Sequence, residues 1–366
     1  MRKNIELVQM LRGLAALLVC LFHMKGLLPD DKLGARLFGN GSIGVPLFFM
    51  ISGFIMYHTT WQKQKPDWAY IIQFAKKRLV RVVPLYYLCT VIAISIFEQW
   101  PFYLFEHPER LLAGVLFMPS FHIMLGPSYG LPPLAVGWSL NYEMYFYLLL
   151  TLAMLLPAAR WYALGSFILV CVFLVPLLQF GYLNSSMAAS YRFSTNYFNL
   201  MSNPVMLFFL AGILAGAGYE KIPLKVSTKL ANILLGIALT VFFLHFARVG
   251  MNISGYSASL ISCGFLLIAC LVRDKAGPVR IPEFLLFTGD VSYSMYLIHP
   301  LVLSGIPVLA GIAGLPIRGQ GWLYFLFILV LILIVSHFSY RYIEQALGKW
   351  LMNFQLRSRV TGQAPD

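Results

Sequence analysis

The chain has 366 residues, of which 59% are hydrophobic and 11% are charged, and its mean hydropathy is +0.75. This composition excludes a soluble domain and predicts an all-α, polytopic membrane protein, because each crossing of the bilayer core requires a helix of about 20 apolar residues. The net charge of +13 does not indicate a nucleic-acid partner, since the lysines and arginines lie between apolar runs and form no single basic surface.

Ten apolar runs are predicted to span the membrane. The first has no small-residue cleavage site after it, so we expect a retained helix and not a signal peptide. The predicted spans are residues 7–27, 41–60, 82–98, 136–157, 162–181, 200–219, 230–247, 255–272, 291–313 and 321–340. All the cysteines fall inside apolar runs, which predicts lipid-facing or core positions and no disulfide framework.

A further apolar stretch, residues 110–124, is short and contains Pro119. With ten spans and a cytoplasmic N-terminus, nineteen of the 27 lysines and arginines fall in inner segments and seven in outer segments, with Arg12 inside the first span. An eleventh span would place the basic loops 219–229 and 273–289 outside, against the positive-inside tendency. We therefore predict that both termini are cytoplasmic and that residues 110–124 are re-entrant or interfacial.

The sequence predicts a single membrane domain over residues 1–345 and a short cytoplasmic tail, residues 346–366. The longest segments between spans are residues 61–81 on the inner side and 99–135 on the outer side. Loops of this length in a compact domain usually carry function or cover a site. The oligomeric state is not determined by the sequence.

Two polar residues interrupt the first predicted span. Arg12 and His23 are eleven residues apart, so at about 100° per residue both lie on one helix face, roughly 16 Å apart along the axis. A charge in a span usually faces the protein interior or a water-filled cavity. Two interpretations stay open here: Arg12 extends to the inner headgroups and His23 is an interfacial or core histidine, or both line a functional site.

Glu143 adds an ionisable group in the fourth predicted span, about two turns from its outer end and at a depth similar to that of His23. A carboxylate that accepts a hydrogen bond from an imidazole fixes the tautomer and raises the basicity of the other ring nitrogen, as a general base requires. The sequence leaves open whether Glu143 forms such a pair, a purely structural pair, or a contact with another helix.

The stretch FAKKRLVRVVPLYY contains four basic residues just before the third predicted span: Lys76, Lys77, Arg78 and Arg81. Such residues often determine topology or bind anionic lipid. Alternatively, Arg78 and Arg81, which share a face if the segment is helical, form a phosphate clamp. Inner arginines, a polar face on the first span and an outer histidine and carboxylate together favour transfer of a group from a cytoplasmic donor to an external acceptor.

These residues resemble acyltransferase family 3 of bacterial integral membrane proteins, over about residues 5–345. Four of the family's motifs occur in the expected order. They are the arginine–ten residues–histidine signature at Arg12 and His23 with the following VPLFFMISGF, the paired arginines Arg78 and Arg81, the WSL segment Trp138–Leu140 with Glu143, and SYSMYLIHP at Ser292–Pro300.

The resemblance implies an enzyme that takes an acyl group, usually acetyl, from acyl-CoA in the cytoplasm and delivers it to a sugar hydroxyl. His23 is then the catalytic histidine and Glu143 the orienting or acid–base carboxylate. Arg12, Arg78 and Arg81 bind acyl-CoA. The pocket would also contain Ser52, Gly53, Trp138, Ser139, Tyr293 and His299. Gly53 also suits close helix packing.

The resemblance further implies a location in the bacterial inner membrane and a polysaccharide or lipid-linked saccharide as acceptor. Acyl-CoA is a substrate, so no permanently bound cofactor is expected, and no metal site is predicted because no two histidines or cysteines stand at ligand spacing within a helix. Some family members carry a fused extracytoplasmic domain. This chain ends soon after its last predicted span, so we expect the stand-alone type.

Two mechanisms and one competing class remain open at this point. His23 either deprotonates the sugar hydroxyl for direct attack on the thioester or accepts the acyl group itself. The competing class is a proton-coupled transporter or flippase, in which Arg12, His23 and Glu143 form a proton relay.

Overall fold

The computed structural model describes residues 5–63, 65–97, 99–119, 125–188, 190–248, 255–315 and 319–353. Within these ranges the chain forms helices, turns and loops and no strand, which confirms the all-α prediction. The α-helices are α1 (Glu6–Met24), α2 (Asp31–Phe38), α3 (Gly44–Thr60), α4 (Trp68–Ile96), α5 (Pro108–Val115), α6 (Trp138–Ala153), α7 (Arg160–Leu169), α8 (Val175–Phe180), α9 (Asn196–Met201), α10 (Met206–Lys221), α11 (Thr228–Phe246), α12 (Tyr256–Lys275), α13 (Glu283–Asp290), α14 (Ser292–Ile312) and α15 (Trp322–Ser339).

Nine helical segments among the described residues are long and apolar enough to cross a membrane, and each overlaps one of the ten predicted spans. The remaining predicted span is α6, which has 16 residues and directly follows the 3-10 turn Ala135–Gly137. The protein is therefore a multi-pass membrane protein. The five cysteines are buried and none forms a disulfide.

The apolar stretch at residues 110–124 is partly described. Its first half belongs to α5, whose eight residues extend about 12 Å and are too short to cross a bilayer. The last five residues of the stretch, 120–124, lie outside the described residues. At the other end of the chain, the last helical run reaches Asn353, so the first residues of the predicted tail continue that helix.

α4 corrects the predicted start of the third span. The helix begins at Trp68, where the Asp67 carboxylate caps it by accepting a hydrogen bond from the backbone N–H of Tyr70, 2.8 Å away. Arg78 and Arg81 therefore lie within a 29-residue helix and not in a loop before it. Four cations lower the apparent hydropathy of this half of the helix, although the arginines turn toward the protein interior.

Close contact between α3 and α10 depends on glycine. A Cβ atom on Gly53 would lie 2.1 Å from the carbonyl oxygen of Phe209, and one on Gly212 would lie 1.9 Å from that of Met50. Side chains at these positions would push the two backbones apart. Gly53 therefore serves helix packing, with its Cα facing α10.

Arg160 is a buried cation with a structural role. Its side chain is 2% exposed, and its guanidinium donates hydrogen bonds to three carbonyls at the end of α3. The acceptors are Thr60 (2.9 Å), Trp61 (3.0 Å) and Lys63 (2.6 Å). These carbonyls lie at the C-terminal end of α3, so Arg160 caps the helix and connects it to the start of α7.

Candidate active site

Three arginines from two helices line one cavity, which we call the arginine cavity. Arg12 comes from α1, which packs against α3, α13 and α14, and Arg78 and Arg81 come from adjacent turns of α4. The other walls are supplied by α3, α6 and α14. Residues of these walls include Phe48, Ser52, Ser139, Glu143, Tyr147, Ser292, Tyr293 and Tyr296.

The arginines bring an excess of positive charge into this cavity. Glu143 is the one carboxylate among the described residues that line it, and no ion pair joins any of the three guanidinium groups to a described carboxylate within 4.0 Å. Arg12 donates a hydrogen bond to the Ser292 hydroxyl at 3.0 Å. Within the described part of the chain, the buried Nε of Arg78 has no hydrogen-bond partner. The cavity is therefore suited to an anionic ligand.

Glu143 is held within this cavity by neighbouring hydroxyl groups. Tyr147, one helical turn further along α6, donates a hydrogen bond to its carboxylate, and the Ser52 hydroxyl lies 3.5 Å away. The guanidinium carbon of Arg78 lies 6.0 Å from the centre of the Tyr147 ring. Tyr147 was not predicted from the sequence, although its spacing of four residues from Glu143 places both on one helix face.

The predicted partner of His23 is replaced by a second histidine. His299 of α14 is fully buried, and its Nε2 lies 3.2 Å from Nδ1 of His23. Among the described residues, no hydrogen bond joins His23 to Glu143, because the carboxylate is turned toward Ser52 and Tyr147. The sequence identified His299 as a pocket residue, but only the packing of α1 against α14 makes it the partner of His23.

The hydrogen bonds of this histidine pair assign its tautomers. Nδ1 of His299 lies 3.2 Å from the carbonyl oxygen of Met295, so Nδ1 carries the proton and Nε2 accepts. Nδ1 of His23 lies 2.9 Å from the carbonyl oxygen of Val19 and must also be the donor toward His299. Nε2 of His23 is then unprotonated, and the His23 side chain is exposed. This nitrogen is a base available to a substrate.

Tyr296 lies between the histidine pair and the arginine cavity. Its ring centre is 6.0 Å from that of His299, and its hydroxyl lies 2.6 Å from the Ser139 hydroxyl. Tyr296 also lines the arginine cavity, as do Ser139 and Tyr293. Tyr293 donates a hydrogen bond to the carbonyl oxygen of Val82 at 2.7 Å, which ties α14 to α4. Ser52, Ser139 and Tyr293, which the sequence predicted to be pocket residues, all line the arginine cavity.

A second cleft adjoins the arginine cavity and shares Arg12 and Arg81 with it. Its other charged residues are Lys77, Asp290, Glu344 and Lys349. It lies where α4 begins and the last helical run ends. Burial raises the pKa of the Asp290 carboxyl, and the neighbouring Arg12 partly opposes that rise. The cleft was not predicted because Glu344 and Lys349 are remote from the motifs in sequence.

Comparison with known proteins gives consistent relatives. The chain is 29% identical to the exopolysaccharide production protein ExoZ of Rhizobium meliloti, covering 77% of this chain and 82% of that protein. It is 26% identical to the peptidoglycan O-acetyltransferase OatA of Listeria monocytogenes, covering 84% and 51%. It is 24% identical to the O-acetyltransferase OatA of Staphylococcus aureus, covering 93% and 56%. The chain thus spans about half the length of the two OatA proteins.

No solved structure matches the chain at a significant level. A family model described as an acyltransferase domain matches residues 6–341, which is nearly the whole chain and includes every helix that lines the arginine cavity and the histidine pair. The protein therefore belongs to acyltransferase family 3.

Proposed function

We propose that this protein transfers an acyl group, most simply acetyl from acetyl-CoA on the cytoplasmic side, to a hydroxyl of an exported polysaccharide or its lipid-linked precursor. It would act in the bacterial inner membrane. The observation that carries the proposal is the arginine cavity. Its three guanidinium groups have no carboxylate partner within ion-pair distance among the described residues, and the Nε of Arg78 has no hydrogen-bond partner there. The names of the relatives support an O-acetyl group and a polysaccharide acceptor.

The proposed acyl-CoA donor is supported by the positive charge of the arginine cavity. The phosphates of acyl-CoA match the excess of guanidinium groups, because arginine binds phosphate oxygens in a bidentate way. The second cleft offers Lys77 and Lys349 on the way to Arg12 and Arg81. The positive-inside tendency supports a cytoplasmic position for this cleft, the side from which acyl-CoA would be used.

The reaction end depends on His23. In direct transfer, Nε2 of His23 removes the proton of the sugar hydroxyl, the sugar oxygen bonds to the thioester carbonyl carbon, and the carbon–sulfur bond breaks to release CoA thiolate, which takes up the proton. In the two-step alternative, Nε2 bonds to the carbonyl carbon and the carbon–sulfur bond breaks to release CoA thiolate; the sugar oxygen then bonds to the same carbon, the bond to Nε2 breaks, and the hydroxyl proton passes to the thiolate. Both routes use the same unprotonated nitrogen.

Transport is not favoured by this geometry. A relay through Arg12, His23 and Glu143 requires hydrogen bonds between them, and among the described residues these side chains bond to other partners. Membership of an acyltransferase family also favours catalysis.

Calorimetric titration of the purified full-length protein with acetyl-CoA tests the donor site. We expect saturable binding by the wild type, and Arg78→Gln or Arg81→Gln should weaken it by about 10- to 100-fold, because each removes a charge-assisted hydrogen bond. Arg280→Gln is the matched control, since Arg280 is exposed outside the cavity. A folded wild type without binding, or equal weakening in the control, would contradict the proposal.

A further inference from the structure

A separate cavity lies at the opposite end of the bundle from the second cleft, and we call it the outer cavity. Its walls are the first turns of α3, α6, α10 and α12 together with residues 185–188. Positive-inside topology places all these helix ends on the extracytoplasmic side. The outer cavity shares Val45 and Phe49 with the arginine cavity, so only the beginning of α3 separates the two.

The outer cavity differs from the arginine cavity in its charge. None of the described residues that line it is Lys, Arg, Asp or Glu, and the histidine in its wall, His245 at the end of α11, has its Nδ1 2.7 Å from the Ser262 hydroxyl. It combines the aromatic rings of Trp138 and Tyr256 with the amide of Asn40 and the hydroxyls of Ser42 and Ser259. Sugars present both apolar C–H faces, which pack on aromatic rings, and hydroxyls, which pair with amides and hydroxyls.

One hydroxyl in this wall has no partner. The buried hydroxyl of Tyr256 makes no hydrogen bond to any described residue, although its ring packs on Phe208 with centres 5.0 Å apart. Buried polar groups in folded proteins are nearly always satisfied, so the Tyr256 hydroxyl is a hydrogen-bonding group that a ligand beside this residue would satisfy. A sugar hydroxyl can supply both a donor and an acceptor.

Packed side chains join the wall of the outer cavity to the histidine pair, although His23 and His299 do not themselves line it. Trp138, which lines it, immediately precedes Ser139. The Ser139 hydroxyl lies 2.6 Å from that of Tyr296, and the Tyr296 ring packs beside His299. A molecule bound against Trp138 therefore contacts the turn of α6 that contains Ser139. Ser139 is hydrogen-bonded to Tyr296, which packs beside His299.

We propose that the outer cavity is the acceptor site and that it binds a neutral saccharide unit. This inference rests on the proposed function. The two cavities then sort the substrates by charge: the anionic donor is favoured by three arginines, whereas no lysine or arginine is found among the described residues that line the outer cavity. An anionic sugar would find no charged partner among the described residues of its walls.

Acceptor-dependent release of CoA from acetyl-CoA tests the inference with the full-length protein in detergent. The probes are chitotetraose and cellotetraose, which are neutral, and tetragalacturonate, which is an anionic chain of equal length. We expect a neutral tetrasaccharide to accelerate CoA release saturably. Tyr256→Phe and Trp138→Phe should each raise its half-saturating concentration about tenfold, as expected for one lost hydrogen bond or a poorer stacking surface, with a much smaller change in KM for acetyl-CoA.

Tyr182→Phe is the matched control, because Tyr182 is 49% exposed and does not line the outer cavity. The inference is overturned if neither neutral saccharide saturates while acetyl-CoA is still hydrolysed, if tetragalacturonate is preferred, or if both variants change KM for acetyl-CoA as much as that for the saccharide. A folded protein that binds and consumes no acetyl-CoA would instead refute the proposed function, and the acceptor assignment with it.

Discussion

Several arginines in this protein are buried, although burying a charged side chain costs free energy. A buried guanidinium usually has a carboxylate or several carbonyls as partners, as Arg160 has at the end of α3. Arg78 and Arg81 are instead turned toward a cavity and have no described carboxylate within ion-pair distance. The contrast separates a structural arginine from arginines that await a ligand.

His299 is a positioning residue for His23, and its replacement tests this role. His299→Ala should lower kcat by about 10- to 100-fold, because His23 loses the acceptor that holds its tautomer, with little change in KM for acetyl-CoA. His299→Gln should retain more activity, since its amide oxygen can accept the same hydrogen bond. Steady-state kinetics of both variants and of His23→Ala, which should be inactive, provide the comparison. Equal losses in the Ala and Gln variants would argue for a purely structural role.

Arginines and glycines inside the helices bring the functional groups of the site together. α4 carries Arg78 and Arg81 well inside the bundle because it begins at Trp68, ten residues before Arg78. α3 contacts α10 so closely that it can present Ser52 to the arginine cavity from one face and Gly53 to Phe209 from another. The site therefore depends on backbone proximity as well as on its own side chains.

A Cβ at Gly212 should destabilise the helix pair. Gly212→Ala places a methyl group 1.9 Å from the carbonyl oxygen of Met50, which the backbone must relieve by separating, at about 1–3 kcal/mol. Gly236→Ala is the matched control, because nothing lies within 4 Å of its added Cβ and alanine favours the helix. Thermal unfolding in detergent should show a lower Tm for the first variant and an equal or higher Tm for the second. Equal Tm values would contradict the close packing.

The whole molecule separates two chemical environments along the membrane normal. The second cleft and the arginine cavity are lined by arginines, lysines and carboxylates at one end of the bundle. The outer cavity lies at the other end, and the described residues that line it include no Lys, Arg, Asp or Glu. The helices of a bundle satisfy their own backbone groups, so the side chains facing its interior are free to form a polar path. Such a path suits a reaction whose donor and acceptor come from opposite sides.

Thiol labelling in intact cells tests this orientation. A membrane-impermeant maleimide should label Tyr182→Cys directly and Arg280→Cys only after the membrane is opened, because the two exposed positions are predicted to lie on opposite sides. The native cysteines are buried, so the unsubstituted protein is the background control. The reverse labelling pattern would overturn the topology and the sidedness of both proposed substrates.

The sequence by itself determined the class, an all-α multi-pass membrane protein, and located nine of its ten predicted spans on described helices long enough to cross a membrane. Runs of apolar residues are a local property, and motif residues such as Arg12, His23 and Glu143 can be identified at fixed positions without knowing where the helices pack. Hydropathy nevertheless misplaced the start of α4, because it counts cations without regard to the direction in which they point.

Only the tertiary structure decided which residues meet. His23 pairs with His299 rather than with Glu143, and Glu143 lies beside Tyr147 and Ser52 instead. His23 and His299 are separated by 276 residues, and contact between them depends on α1 packing against α14, which no local pattern specifies. The motif suggested that Gly53 is a pocket residue, but the structure packs Gly53 against Phe209 of α10, whereas its neighbour Ser52 lines the arginine cavity. The two differ because one residue rotates a side chain by about 100° around the helix axis.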